Sequence, residues 1–214
     1  MSLRILPLFF AAAAFAQEAA APAAQKFDFQ SLEPGAVPDE YMATEQEAKF
    51  SVVADGENKV LELAGQPIVD GGMLLGKSVK GACTVSARSK ANGKRRTHPK
   101  FGIGLHGISG PRLLVVPAEK VVKIVRNTEK EETVASAAHA WTSGTWVRLE
   151  LSIKPGTGNK GALVEARVWE DGKPRPEAAT ATWTSEDAPG QGKASVWGAP
   201  YAELPIQFDD IEVK

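Results

Sequence analysis

Trp146-Val147-Arg148-Leu149-Glu150-Leu151-Ser152-Ile153 is a run in which every second side chain is apolar. Val147, Leu149, Leu151 and Ile153 fall on one face, and Trp146, Arg148, Glu150 and Ser152 on the other. This is the period of a strand with one buried and one wet face. It returns at Val164, Ala166 and Val168 against Glu165, Arg167 and Trp169, after which Asp171-Gly172 turns the chain. Phe50-Ser51-Val52-Val53 and Val60-Leu61-Glu62-Leu63 flank Asp55-Gly56-Glu57-Asn58, a hairpin signature whose glycine can take the positive φ of a tight turn. Further strands are predicted at Phe101 to His106, Arg112 to Val116, Val121 to Arg126, Thr180 to Thr184, Ala194 to Trp197 and Ile206 to Val213. No stretch beyond the N-terminal segment keeps a helical period for three turns. About a dozen short strands with one apolar face each must pack as two sheets or close into a barrel, and two sheets of about five to seven strands is the expected solution.

The N-terminal segment has the three parts of a secretory signal: Arg4, the apolar run Ile5 to Phe15, and small residues at Ala14-Phe15-Ala16. The run ends at Gln17-Glu18, short of the roughly 20 apolar residues of a membrane span. Cleavage is expected after Ala16, giving a bacterial periplasmic or secreted protein with no membrane insertion once the signal is removed. Residues 17–25 are mostly alanine and read as a tether, which leaves residues 26–214 as one β-sandwich domain. A single cysteine, Cys83, rules out an intrachain disulfide. Alternation with Val85 and Ala87 puts its thiol on an apolar face. The formal net charge of −1 gives no reason to expect a nucleic-acid partner.

Trp141-Thr142-Ser143-Gly144-Thr145-Trp146-Val147-Arg148-Leu149, followed by Val168-Trp169-Glu170-Asp171-Gly172-Lys173-Pro174, resembles the centre of laminin G-like domains. The opening Phe27-Asp28-Phe29 and the closing Ile206-Gln207-Phe208-Asp209-Asp210-Ile211-Glu212-Val213 are similar to the first and last strands of the concanavalin A-like lectin and glucanase superfamily. The resemblance implies an all-β fold, a two-sheet antiparallel jelly-roll β-sandwich. That fold hosts lectins, glycosidases, lyases and adhesion modules, so function has to be argued from the site.

Complete catalytic motifs are missing. The E-x-D-x-E string of the superfamily's glucanases is absent, and the acidic groupings Glu129-Lys130-Glu131-Glu132 and Glu186-Asp187 read as solvated turns. Arg148-Leu149-Glu150-Leu151 matches one string of the lyases on this fold, but Gly104-Leu105-His106 lacks its expected partner glutamine. His98, His106 and His139 are too scattered for a histidine metal pair.

Three features remain as binding determinants. Lys94, Arg95 and Arg96 crowd a loop with Asn92-Gly93, either a solvated hairpin tip or a contact for an anionic polysaccharide. Arg88, His106, Arg148, Arg167 and Trp169 fall opposite the predicted core residues, and Gly102 and Gly104 share their face. Such a face suits a glycan groove, with sugar stacked on the indole and hydroxyls bonded to Arg and His; the alternative is that Trp169 merely covers a sheet edge. Trp146, Trp183 and Trp197 read as core or corner residues. The third feature is Asp209-Asp210, one of which must point toward the protein. The resemblance implies a structural calcium held there with Asp28; the alternative is an edge strand made soluble by charge. Three functions follow: a non-catalytic carbohydrate-binding or matrix-contact module, a polysaccharide lyase or glycoside hydrolase, or an adhesion domain that binds protein.

Overall fold

The computed structural model describes residues 23–35, 37–66, 68 and 70–214. The expected signal and residues 17–22 of the tether lie outside them. The strands are β1 (Gln25–Phe27), β2 (Met42–Ala43), β3 (Phe50–Asp55), β4 (Asn58–Leu63), β5 (Gly71–Lys80), β6 (Cys83–Ala91), β7 (Lys100–Gly104) and β8 (Arg112–Val116). They continue as β9 (Val121–Asn127), β10 (Glu131–Ala138), β11 (Trp146–Pro155), β12 (Ala162–Glu170), β13 (Ala181–Ser185), β14 (Gln191–Ala199) and β15 (Ile206–Val213). β1 begins at Gln25, one residue inside the segment read as a tether.

Two antiparallel sheets carry these strands. The first runs β13-β12-β11-β6-β15-β4-β3, with β1 also paired to β15; the second runs β10-β9-β8-β7-β14-β5-β2. This is the two-sheet packing that the alternation predicts and the jelly roll that the resemblance implies, with eight strands in the first sheet among the described residues where five to seven were expected. Val85, Ala87, Leu149, Leu151, Val164 and Ala166 of the first sheet meet Phe101, Ile103, Leu113, Val115, Ile124 and Val196 of the second in one buried cluster. Each such aliphatic side chain contributes about 1.5–3 kcal/mol by leaving water.

Two strands escape the alternation for identifiable reasons. In β5 a built-in glycine, Gly76, sits at φ 61°, and pairing with β14 slips between Gly192 and Ala194, so apolar parity changes midway. In β10 the register slips between Thr133 and Ala135, and alanines and a serine give little hydrophobic contrast. The acidic cluster read as a turn therefore continues into a strand at Glu131 and Glu132.

Trp197 is buried but not in the main core. It lies on the outer side of the second sheet with Leu114, Val116 and Val125, under the Arg112 guanidinium 3.2 Å from its ring centre. Trp146 is half-buried on the outer side of the first sheet, with Arg88 and Lys90 over its ring. Among the described residues, no helix is long and apolar enough to cross a membrane.

Candidate functional site

The sequence-derived groove is only partly assembled. Arg88, Arg148 and Trp169 stand side by side on β6, β11 and β12, because Arg148 pairs in register with both of the others. Arg167 lies two residues along on the same outer face. Their donors, however, are directed at the protein's own carboxylates. Arg148 donates to Asp171 at 2.6 Å and Asp210 at 2.8 Å, while Arg88 donates to Asp209 at 2.6 Å. Arg167 is buried against Glu150, Glu165 and the Glu177 carbonyl. Burial alone would raise the Asp171 carboxyl, but hydrogen bonding and charge from Arg148 and Arg88 outweigh it and hold the group below the usual range. This face is a cross-strand ion-pair lattice.

His106 does not join that face. Its sheet is the other one, and its φ of 62° breaks the alternation that would have turned it outward. The ring is buried, with Nε2 3.3 Å from the Cys83 Sγ and a hydrogen bond to the Gly81 backbone. The space above the glycines is also taken. A side chain at Gly102 would run into the Leu113 carbonyl, and one at Gly104 would begin 2.6 Å from the Ser195 Oγ and 3.0 Å from the Trp197 Nε1, so these glycines admit the protein's own groups rather than a ligand.

The expected calcium site is not formed. Asp209 is 1% exposed, and its Oδ2 accepts hydrogen bonds from Arg88 and from the Asn58 amide at 2.7 Å. The cation that this buried carboxylate requires is thus a guanidinium. Asp28 and Asp210 share a surface cleft with Lys26 and Arg148. Among the described residues no group of three or more His, Cys, Asp or Glu side chains is placed to hold a metal. Lys94, Arg95 and Arg96 form the exposed tip of a hairpin closed by paired Lys94 and Thr97, with Lys94 3.6 Å from Glu203.

A further hollow lies at the open edge of the sandwich between β13 and β9. It has a volume of about 320 Å³, within the range of ligand clefts. Ile153, Ala162 and Val164 give it an apolar floor, and His106 forms part of the wall. Trp183 pairs in register with the core residue Val164 and so projects between the sheets, where it is half-buried. On the facing sheet Arg126 continues the inward series Val122, Ile124, and its guanidinium carbon lies 5.8 Å from the Trp183 ring centre. Glu132, opposite Arg126 in register, accepts a 2.7 Å hydrogen bond from its Nε. The loop after β13 forms the rim with exposed Asp187, whose backbone N–H donates to the Ser185 Oγ.

Sequence reading missed this site by treating Trp183 as core filling and by not pursuing the parity of Arg126. The signal was present: a charged residue two positions beyond Ile124 occupies a place where the alternation demands an apolar one.

Together, the architecture and topology are those of a two-sheet antiparallel jelly-roll β-sandwich. The chain superposes on the carbohydrate-binding module CBM66 from Bacillus subtilis with a TM-score of 0.53 and 10% identity, covering 81% of this chain and 94% of that one. It is also similar to a xylan β-1,4-xylosidase from Bacillus halodurans (TM-score 0.59, 13% identity), with 91% of this chain covered but only 39% of the enzyme. The exoplasmic/lumenal domain of VIP36, in its Ca2+/Man2-bound form, matches with a TM-score of 0.54 and 8% identity over 89% of this chain and 86% of that one. At these identities the likeness establishes the fold. No family model and no curated protein matches the sequence.

Proposed function

We propose that this chain is an exported, non-catalytic carbohydrate-binding module that seats a sugar ring on Trp183 in the cleft between β13 and β9. The observation that carries the reading is the pair Trp183 and Arg126, two inward positions at the sandwich edge filled by an indole and a guanidinium instead of aliphatic side chains. A partly exposed indole offers an apolar face for a pyranose, and the arginine, Ser185 and Asp187 ring it with donors and acceptors for hydroxyls. The similarity to CBM66 and to the mannose-bound VIP36 domain supports a glycan as the ligand. The terminal segment that reads as a secretory signal supports export.

Catalysis is less well served. A group that moves a proton must reach the ligand, whereas the contacts of His106 go to Cys83 and Gly81, Glu132 is engaged by Arg126, and the carboxylates Glu186 and Asp187 are chain neighbours on the exposed loop after β13 rather than a pair facing each other across the cleft. The cleft is also preferred to the outer face of Arg88, Arg148, Arg167 and Trp169, where each guanidinium is shared among two or more acceptors, whereas Arg126 is bonded to Glu132 through its Nε.

Isothermal titration against a panel of polysaccharides tests the reading, with reducing-sugar release measured in parallel. Trp183→Ala should weaken binding at least about tenfold, or about 1.4 kcal/mol, while Trp169→Ala leaves it unaltered. Binding lost in Trp169→Ala and kept in Trp183→Ala would move the site to the outer face. Release of reducing sugar would make the protein an enzyme, and retention of no glycan would favour the protein-binding alternative.

A further inference from the structure

The cleft does not end at Trp183. A second hollow of about 460 Å³ lies beside it along β13 and β10, and the two share Arg126, Trp183, Ser185 and Asp187. The shared residues stand at the waist where the two hollows adjoin, and together their linings reach from His106 and Gly190 at one end to Thr133 and Val134 at the other. A single sugar stacked at the waist would leave most of that groove filled only by water.

The charge along the groove is equally specific. Glu132, Glu186 and Asp187 stand against Arg126, three carboxylates to one guanidinium, a balance of −2. Among the described residues, Glu186 and Asp187 take part in no ion pair. The basic hairpin tip cannot offset them. It follows the far end of β6, whose near end, Cys83, touches His106; the eight steps between the first and last of its nine residues, at about 3.3 Å each, place the end of β6 that leads into the tip some 26 Å away. Carboxylates without a cation accept hydrogen bonds from hydroxyls and repel carboxylates and sulfates on a ligand.

We infer that the groove binds an uncharged glycan longer than a single sugar, threaded past Trp183 so that it occupies both hollows. The inference rests on the carbohydrate reading of the cleft and specifies its ligand class. It replaces the anionic polysaccharide that the Lys94-Arg95-Arg96 loop suggests from sequence.

The test is titration of the full mature chain with xylo-, cello-, manno- and fructo-oligosaccharide ladders, polygalacturonate and chitosan oligomers. Affinity for one neutral series should rise at least about tenfold from mono- to tetrasaccharide. Raising salt from about 0.05 to about 0.5 M should change it by less than about twofold, since no net charge is screened. Thr133→Arg, at an exposed edge position, obstructs the second hollow. With an uncharged ligand the new side chain acts by occupying space, so tetrasaccharide affinity should fall about tenfold while that of the shorter sugars holds. Tighter binding of polygalacturonate or chitosan, length-independent affinity, or full tetrasaccharide binding by Thr133→Arg would each overturn the inference. In those cases loss of binding in Trp183→Ala leaves the cleft itself standing. Binding unaltered in Trp183→Ala, or no binding of any glycan, removes both.

Discussion

Replacing Arg88 with methionine should be among the most damaging single changes to this protein, although Arg88 lies outside the core. Its partner Asp209 is 1% exposed, and Oδ2 accepts from Arg88 at 2.6 and 3.2 Å and from Asn58 at 2.7 Å. Arg88→Met leaves that carboxylate buried with a single neutral donor. Removing one member of a buried ion pair costs about 3–5 kcal/mol, because the remaining charge keeps its desolvation penalty and loses its compensation. The reverse change is milder. In Asp209→Asn the guanidinium, about a fifth exposed, retains Asp171 at 3.5 Å and Asp210 at 3.4 Å, so the loss should be about 1–2 kcal/mol. Replacing both partners, Arg88→Met with Asp209→Leu, should recover most of the stability by removing the stranded charge. Urea unfolding should show these differences at a constant m value, and Arg88→Met should melt about 6–20 °C lower than the parent, at roughly 2–4 °C per kcal/mol. Equal costs for Arg88→Met and Asp209→Asn would refute the reasoning. So would a parent protein whose melting point falls on adding chelator, since a metal would then be serving the role assigned to the arginine.

Leu149→Ala should cost about 2–5 kcal/mol, because Leu149 is fully buried at the centre of the main core and the change opens a cavity there; denaturant unfolding measures it. Burial holds the His106 imidazole below the usual range, opposed in part by its hydrogen bond to Gly81, and burial does the same to His139. The unfolded chain therefore binds protons first as pH falls past about 6.5, and the stability these residues contribute, complete above that pH, is lost toward their lower folded-state values. His106→Gln should flatten the stability profile in that acid window by up to about 1.4 kcal/mol per pH unit, and an unaltered slope would show that His106 does not carry the effect. Burial pushes the Cys83 thiol up to about 11, so alkylation near neutral pH should proceed only as fast as the protein unfolds; rapid labelling of native protein would contradict its placement.

The sequence alone settles which side of each strand is buried wherever alternation is unbroken. Val147, Leu149, Leu151 and Ile153 face inward and Arg148 and Glu150 outward, as their spacing requires, and Gly56 and Gly172 take the positive φ that their turns demand. The burial of Cys83 follows from the same parity. Tertiary structure decides what each side chain meets. Nothing local tells Arg88 that β15 will lie beside β6 and bring Asp209 to it, 121 residues away, so that the carboxylate is paired with a guanidinium. Nor does spacing show that His106 turns at φ 62° into the protein, or that Arg126 of one sheet comes to stand over Trp183 of the other at an edge left open. A period of two is set by backbone geometry residue by residue and can be read from a short window. Strand neighbours and facing sheets are fixed by contacts between segments far apart in the chain, and the cleft exists only where two such segments end together.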